Sequence, residues 1–185
     1  MRFKRYFYFY LILLCLSRCT PETETKEYFQ SGNLKSLEKA LTNEIRSKTY
    51  FWDEESKVPQ VEVVSKQDTI IEIKFFSENG NLMYKSSIKN IFYEVESTVG
   101  SLNVLITDEN FQYLSLAPSQ DILYQNFAKF NSELLRGKKS SITVPKDFLS
   151  RSNENAILFL EEIMESADGA VIIQAAHCYI NLNGD

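Results

Sequence analysis

Short segments rich in β-branched residues, separated by polar breaks, dominate the chain between residues 61 and 107. They are 61–64, 69–76, 82–88, 91–96 and 102–107. Such segments are typical of strands, and Glu62, Glu72 and Lys74 stand among apolar neighbours as they do when one face of a sheet is wet. The pattern predicts an antiparallel meander of about four to six strands.

Helical spacing precedes this meander. Leu34, Leu37, Leu41 and Ile45 recur at intervals of three and four residues, with charged residues around them. This spacing gives one apolar face and predicts an amphipathic helix over residues 33–46.

Two further amphipathic helices and a final strand are predicted in the second half. The first helix starts at Ser119, which can cap it, and ends at Gly137. The second is capped by Ser152 or Asn153 and ends at Gly169. An apolar last strand over residues 170–182, interior to the sheet, completes the expected fold class, which is α+β.

The N-terminus has the order of a secretory signal peptide. Arg2, Lys4 and Arg5 form a positive region, and an apolar run over residues 6–16 follows. A helix that spans a bilayer needs about 20 apolar residues, so this run is too short for a permanent transmembrane anchor.

The segment Leu16-Ser17-Arg18-Cys19 resembles a lipobox, which marks bacterial lipoproteins for cleavage before the cysteine and for its diacylation with fatty acids such as palmitate. Leu16 and Cys19 match the motif, whereas Arg18 occupies a position that is usually Gly, Ala or Ser. The resemblance implies a signal peptide (1–18), a lipidated Cys19 with a flexible tether (19–27) and a single α+β domain (28–185). The alternatives are ordinary secretion after cleavage at Ser17, or an uncleaved anchor.

Processing at Cys19 would make the protein strongly acidic. The chain has 20 Lys and Arg against 25 Asp and Glu, a net charge of −5, and its first 18 residues hold four of the cations and no acid. Their removal leaves a net charge of −9, which argues against a nucleic-acid partner because phosphate binding needs a basic patch. Cys178 would then be the one cysteine besides Cys19, so the mature lipoprotein would have no intramolecular disulfide.

An aromatic pair followed by a turn and an apolar residue occurs at 28–34, 51–58 and 75–82, with one residue fewer before the glycine in the first stretch. The third stretch contains Asn79-Gly80, a strong hairpin signal. The pattern resembles the MORN-variant repeats of YwqK-like proteins and of many bacterial lipoproteins, which are β-hairpin units. Because Ser56 replaces the glycine in the second stretch and the first overlaps the predicted helix, we expect a hairpin only at the third.

Residues that could carry catalysis are few. His177 is the only histidine, and in the predicted last strand its side chain and that of Cys178 would point to opposite faces. The paired acids at 54–55 and 161–162 fit solvated faces, and 108–110 fits a turn. The chain lacks phosphate-binding glycine loops and nucleophile motifs. We therefore expect no enzyme activity, no catalytic residue, no metal site and no cofactor.

Aromatic residues make up 13% of the chain and are expected mainly in the core. Tyr50 and Trp52 are the candidate ligand-binding residues, because acids follow them directly. We expect a lipid-anchored, non-enzymatic binding or structural module of the bacterial envelope, in the outer membrane rather than the inner one, with a protein or glycan partner. The alternatives are an envelope hydrolase that uses carboxylates and an inhibitory, immunity-like partner of a toxin-like protein.

Overall fold

Strands form most of the chain. The structure, a computed structural model, describes residues 23–52, 57–98, 101–107, 111–137, 140–152, 155–165 and 169–182. Within them lie thirteen strands: β1 Glu24–Tyr28, β2 Leu34–Ala40, β3 Ile45–Phe51, β4 Pro59–Lys66, β5 Thr69–Phe76, β6 Leu82–Ile88, β7 Tyr93–Thr98, β8 Ser101–Ile106, β9 Tyr113–Ala117, β10 Leu135–Gly137, β11 Ser141–Val144, β12 Asn155–Glu165 and β13 Val171–Asn181. The helices are a 3-10 helix, Gln120–Tyr124, and two α-helices, α1 Phe127–Glu133 and α2 Lys146–Ser152.

Ten of the strands form one sheet, in the order β1-β2-β3-β4-β5-β6-β13-β12-β9-β10. Neighbours pair antiparallel except β6 and β13, which run parallel. A second sheet of three antiparallel strands has the order β11-β8-β7. The fold is therefore mostly β, and the predicted α+β class is wrong.

Residues 33–46 form β2, a tight turn and the start of β3, so the predicted first helix is wrong. The backbone N–H groups of Leu41 and Thr42 both donate to the Ile45 carbonyl, at 2.9 and 3.1 Å. In β2 only Ser36 is buried, so the helically spaced leucines do not line a core. Ion pairs between neighbouring strands, Glu24 with Lys39 and Glu38 with Arg46, take the place of helical contacts.

The helix predicted between residues 152 and 169 is also wrong, because this segment contains strand β12. Residues 156–161 of β12 are all buried, since the sheet is covered on both faces here. Ile157 and Phe159 face one core, and Leu158 and Leu160 face the other. A strand that is buried on both faces loses the polar alternation that identifies strands, which explains the error.

The helix predicted from Ser119 to Gly137 is replaced by three short elements: the 3-10 helix, α1 and β10. Ser119 does cap the 3-10 helix, where its hydroxyl accepts the Asp121 N–H, but Asn126 caps α1 separately. No helix in the described part of the chain has the length and apolarity to cross a membrane. The last strand, β13, falls within the predicted range and lies inside the sheet.

Two cores lie on opposite faces of the large sheet. The helix-side core packs the inner residues of β4, β5, β6 and β12 against the 3-10 helix and α1, with Phe75, Tyr84, Phe130 and Phe159 at its centre. The small-sheet core packs β9, β12 and β13 against β8, β11 and α2. Strands β1 and β2 contribute to neither core.

The strand register defines two ends of the large sheet. The Glu24 end carries the start of β1, the turns 41–44 and 67–68, Ile88 and the end of β13. The Gly80 end carries the turns 29–33 and 77–81 and the end of β12 at Glu165, opposite Val171. Strand β1 begins inside the segment 19–27 that was predicted as a tether.

Three hairpins of this sheet have their turns at the Gly80 end, and the first and third share one register. The residues paired next to each turn are Tyr28 with Leu34, Phe51 with Pro59, and Phe76 with Leu82, each beside a ladder irregularity. In the first and third turns Gly32 N–H donates to Phe29 at 3.0 Å and Gly80 N–H to Ser77 at 2.8 Å. The first and third turns thus align glycine on glycine without the gap that the aromatic pairs suggest.

Candidate functional site

The predicted lipidation residue, Cys19, lies outside the described residues. It precedes Thr23, the first residue that the structure describes, by four positions. The paired acids at 54–55 and the turn at 108–110 also lie outside the described residues.

Tyr50 and Trp52, the predicted binding residues, lie on and just after β3, at the margin of the helix-side core. Tyr50 is half-buried, and its ring meets the Tyr124 ring edge-on with centroids 5.8 Å apart. The Lys48 ammonium lies 5.2 Å from the Tyr50 ring centroid. Trp52 is half-buried too, and its buried Nε1 has no hydrogen-bond partner among the described residues. Neither side chain stands on an open surface.

His177 is fully buried in β13 and hydrogen-bonded at both ring nitrogens. Nε2 lies 3.0 Å from the Ile70 carbonyl, which can only accept, so Nε2 carries the proton. Nδ1 then accepts a hydrogen bond from the Ser86 hydroxyl at 2.8 Å. Burial lowers the pKa of His177, and the bond to Ile70 opposes that shift only in part. The ring is neutral and satisfied, and Ser86 is sealed beside it with 0% exposure.

Cys178 points to the face opposite His177. Its side chain packs on the small-sheet core, whereas the His177 ring contacts the Phe159 ring in the helix-side core, with centroids 5.7 Å apart. Burial raises the pKa of the Cys178 thiol to about 11. The thiolate that a nucleophile requires is therefore scarce at neutral pH.

The main error in the prediction of polar sites concerns the exposure of Glu161. It was expected on the solvated face of a helix, but it is 1% exposed in β12. Its carboxylate accepts hydrogen bonds from Tyr84 Oη at 3.3 Å, Ser115 Oγ at 3.0 Å and Arg136 Nη1 at 3.0 Å. Burial, and then the Glu161 charge, raise the pKa of Tyr84 well above its ordinary value.

The Glu161 cluster is closed rather than reactive. Arg136 reaches it from the edge strand β10 with a side chain that is 41% exposed, and a second nitrogen of its guanidinium bonds Asn131 Oδ1. The carboxylate is thus neutralised and surrounded by donors, which is what a buried acid needs for stability. The sequence signal was the position of Glu161, the first acid of a pair, directly after a continuous apolar run.

An apolar groove lies at the Gly80 end, between β6 and the β12–β13 hairpin. Its volume is about 240 Å³, and its lining residues are Leu82, Lys85, Met164, Glu165, Ile172 and Gln174. Met164 is 46% exposed, whereas Ile163 and Val171, which are 41% and 61% exposed, point to the other face because neighbouring residues of a strand alternate. The exposed apolar lining of the groove is typical of a surface that meets another molecule.

A second, more polar pocket lies at the Glu24 end. Its volume is about 330 Å³, and Tyr179, Gln120, Asp121 and Asn155 are among its lining residues. The Tyr179 hydroxyl is already engaged, because it accepts the Ile70 N–H at 2.9 Å and faces Gln120 Oε1 at 3.4 Å. Other exposed apolar residues at this end are Leu41, Ile88 and Phe92.

Sequence reasoning missed the groove because it placed Met164 in a helix and could not know that β6 and β13 pair.

The described residues hold no group of three or more His, Cys, Asp or Glu side chains arranged for a metal ion. No protein-family model, curated protein or solved structure matches the chain.

Proposed function

We propose that the chain is a lipid-anchored lipoprotein of the bacterial envelope, in the outer membrane, and that its domain is a non-enzymatic binding module. The observation that carries the anchor is the lipobox-like segment Leu16-Ser17-Arg18-Cys19. Strand β1 begins at Glu24, five residues after Cys19. Because an extended residue spans at most about 3.6 Å, a lipid on Cys19 would hold Glu24 within about 18 Å of the membrane.

This geometry gives the two ends of the sheet different environments. The Glu24 end would face the membrane, and the Gly80 end would face away from it. The Gly80 end carries the apolar groove lined by Leu82, Met164 and Ile172. A protein partner with an apolar segment fits this groove, and the flanking Lys85 and Glu165 supply polar contacts at its rim.

A binding role rather than catalysis is supported by the closure of the reactive groups. The His177 ring and the Glu161 carboxylate are both buried and hydrogen-bonded within the protein. A catalytic base or acid must reach the proton that it transfers.

Metabolic labelling with a clickable fatty acid tests the anchor. We expect the wild type and the control variant Cys15→Ala to incorporate the label, and Cys19→Ala to lose it. Cys15 is the matched control because it lies in the segment that processing would remove. A wild-type protein that takes no label contradicts the proposed anchor.

Site-specific photo-crosslinking in cells tests the binding surface. A photoreactive residue at Met164 should give a defined adduct that disappears when Leu82→Glu places a charge in the groove. The same residue at Lys129, exposed on α1, is the control and should not give this adduct. Equal adducts from both positions would exclude the groove as a specific surface.

A further inference from the structure

We propose that the Glu24 end of the sheet rests on the lipid surface through three exposed apolar side chains, Leu41, Ile88 and Phe92. This inference depends on the proposed lipidation of Cys19. The three residues are 55%, 41% and 83% exposed, and Phe92 is the most exposed large apolar residue of those described. Leu41 lies on the β2–β3 connection, whereas Ile88 and Phe92 flank the β6–β7 loop. The register brings Leu41 and Ile88 to the end of the sheet where β1 begins. Phe92 directly precedes Tyr93, whose hydroxyl accepts the Asn181 N–H at the same end.

Leu41 lies beside the point where the tether enters the domain. The Ala40 N–H donates to the Thr23 carbonyl at 3.3 Å, and Leu41 is the next residue. Its own N–H bonds the Ile45 carbonyl at 2.9 Å, so the turn that presents Leu41 is fixed. Thr23 is four residues from Cys19, which is at most about 14 Å of extended chain. A lipid on Cys19 therefore brings Leu41 to the membrane interface.

Ile88 and Phe92 flank a loop that is held to the same end. The Lys89 N–H donates to the His177 carbonyl at 2.8 Å, next to the pairing of Ile88 with His177. Beyond the loop, the Tyr93 hydroxyl accepts the Asn181 N–H at 3.5 Å. The exposed Phe92 ring is thus presented between two points fixed on β13. A side chain of this kind is exposed to water at a hydrophobic cost that burial in lipid would remove.

The contact is apolar rather than electrostatic. Lys66 pairs with Glu44 at 3.1 Å, and Arg46 pairs with Glu38 at 3.0 Å, so these cations at the Glu24 end already have acidic partners. Leu41 follows β2 and Ile88 ends β6, four strands away, which is about 19 Å along the sheet edge. Two contact points at this separation would hold the edge parallel to the membrane and keep the Gly80 end turned outward.

The single tryptophan allows a direct test in vesicles of phosphatidylethanolamine and phosphatidylglycerol with brominated acyl chains. The full, fatty-acid-labelled protein is reconstituted as wild type, as Trp52→Phe with Phe92→Trp, and as Trp52→Phe with Tyr28→Trp. Trp52 and Tyr28 both lie near the Gly80 end, so they report on the end that should stay in water. We expect several-fold quenching for the Phe92→Trp protein and unchanged emission for the other two.

Labelled protein with no quenching at Phe92→Trp, or with equal quenching at both ends, overturns the inference while the lipid anchor stands. Loss of the fatty-acid label itself would instead contradict the proposed function, so the two failures are distinguishable. A second variant, Leu41→Ser with Phe92→Ser, should abolish the orientation without unfolding the domain. With Trp52→Phe and Ile88→Trp added to that variant, quenching should fall to a small fraction of that of the protein with Trp52→Phe and Ile88→Trp alone, and unchanged quenching would also overturn the inference.

Discussion

Strands β1–β3 and strands β12–β13 belong to one sheet but are stabilised by different forces. All five residues of β1 are exposed, and its contacts are ladder hydrogen bonds and ion pairs such as Glu24 with Lys39 at 2.9 Å. In β12 six consecutive residues, 156–161, are buried between two cores. The comparison shows that a sheet can extend well beyond its core, and we expect the β1–β3 region to open at a lower free energy than the global unfolding.

The largest expected effect compares two glutamates of the same sheet. Glu161→Ala removes a buried carboxylate and leaves Tyr84, Ser115 and Arg136 without their shared acceptor, so we expect a loss of about 3 kcal/mol of unfolding free energy. Glu72→Ala removes a carboxylate that bonds Lys74 and Lys85 on the open face, and it should cost less than about 1 kcal/mol. Urea denaturation measures both, and equal losses would contradict the distinction between a buried carboxylate and one on the open face of the sheet.

A smaller effect compares the two equivalent turns. Gly32 and Gly80 have φ angles of 90° and 82°, a region that alanine adopts at a cost of about 1–2 kcal/mol. We expect Gly80→Ala to lower the global unfolding free energy, because β5 and β6 belong to the core. Gly32→Ala should instead raise hydrogen exchange locally in β1 and β2 and leave the global value nearly unchanged. A full global loss for Gly32→Ala would show that the edge and the core unfold together.

The smallest expected effect is a pH dependence of the unfolding free energy, caused by His177 in the core. Because burial lowers the pKa of His177 in the folded state, the unfolded chain binds the proton more readily. The neutral His177 ring therefore contributes to the unfolding free energy above about pH 6.5, the ordinary pKa of histidine, and this contribution is lost as the pH falls below that value. His177 is the only histidine, so denaturation between pH 7.5 and 5.5 isolates it, and His177→Gln should flatten the slope. Equal slopes of unfolding free energy against pH in the wild type and in His177→Gln would assign the effect to another group.

The sequence predicted some strands of the sheet correctly and others wrongly. The β4–β6 meander alternates buried and half-buried residues, as in Val61, Glu62 and Val63, and was predictable from local pattern alone. Strand β12 was misread as a helix because its cover comes from β8, β11 and α1, which are distant in sequence. The leucines of β2 were misread because their spacing fits a helix by chance, whereas the segment pairs with β1 and β3 in the sheet.

The candidate site was less predictable still. Tyr50 and Trp52 were chosen for the acids that follow them, but Tyr124, far along the chain, covers Tyr50. The groove depends on Leu82 and Ile172 meeting across a parallel pairing that no local pattern encodes. Local signals identified single hairpins, whereas every surface that joins distant segments required the structure.

The parallel pairing of β6 with β13 also sets an order of assembly. Ile88 pairs with His177, which lies 89 residues further along the chain, so β6 acquires its second neighbour only through a long-range contact. Until then the meander has an open strand edge on each side, and the β6 edge carries one charged residue, Lys85, whereas β1 carries three. An unprotected edge of this kind recruits other chains readily. Strand β13 is thus the element that protects this edge of the sheet against aggregation, and slow folding is the expected kinetic signature of such a long-range closure.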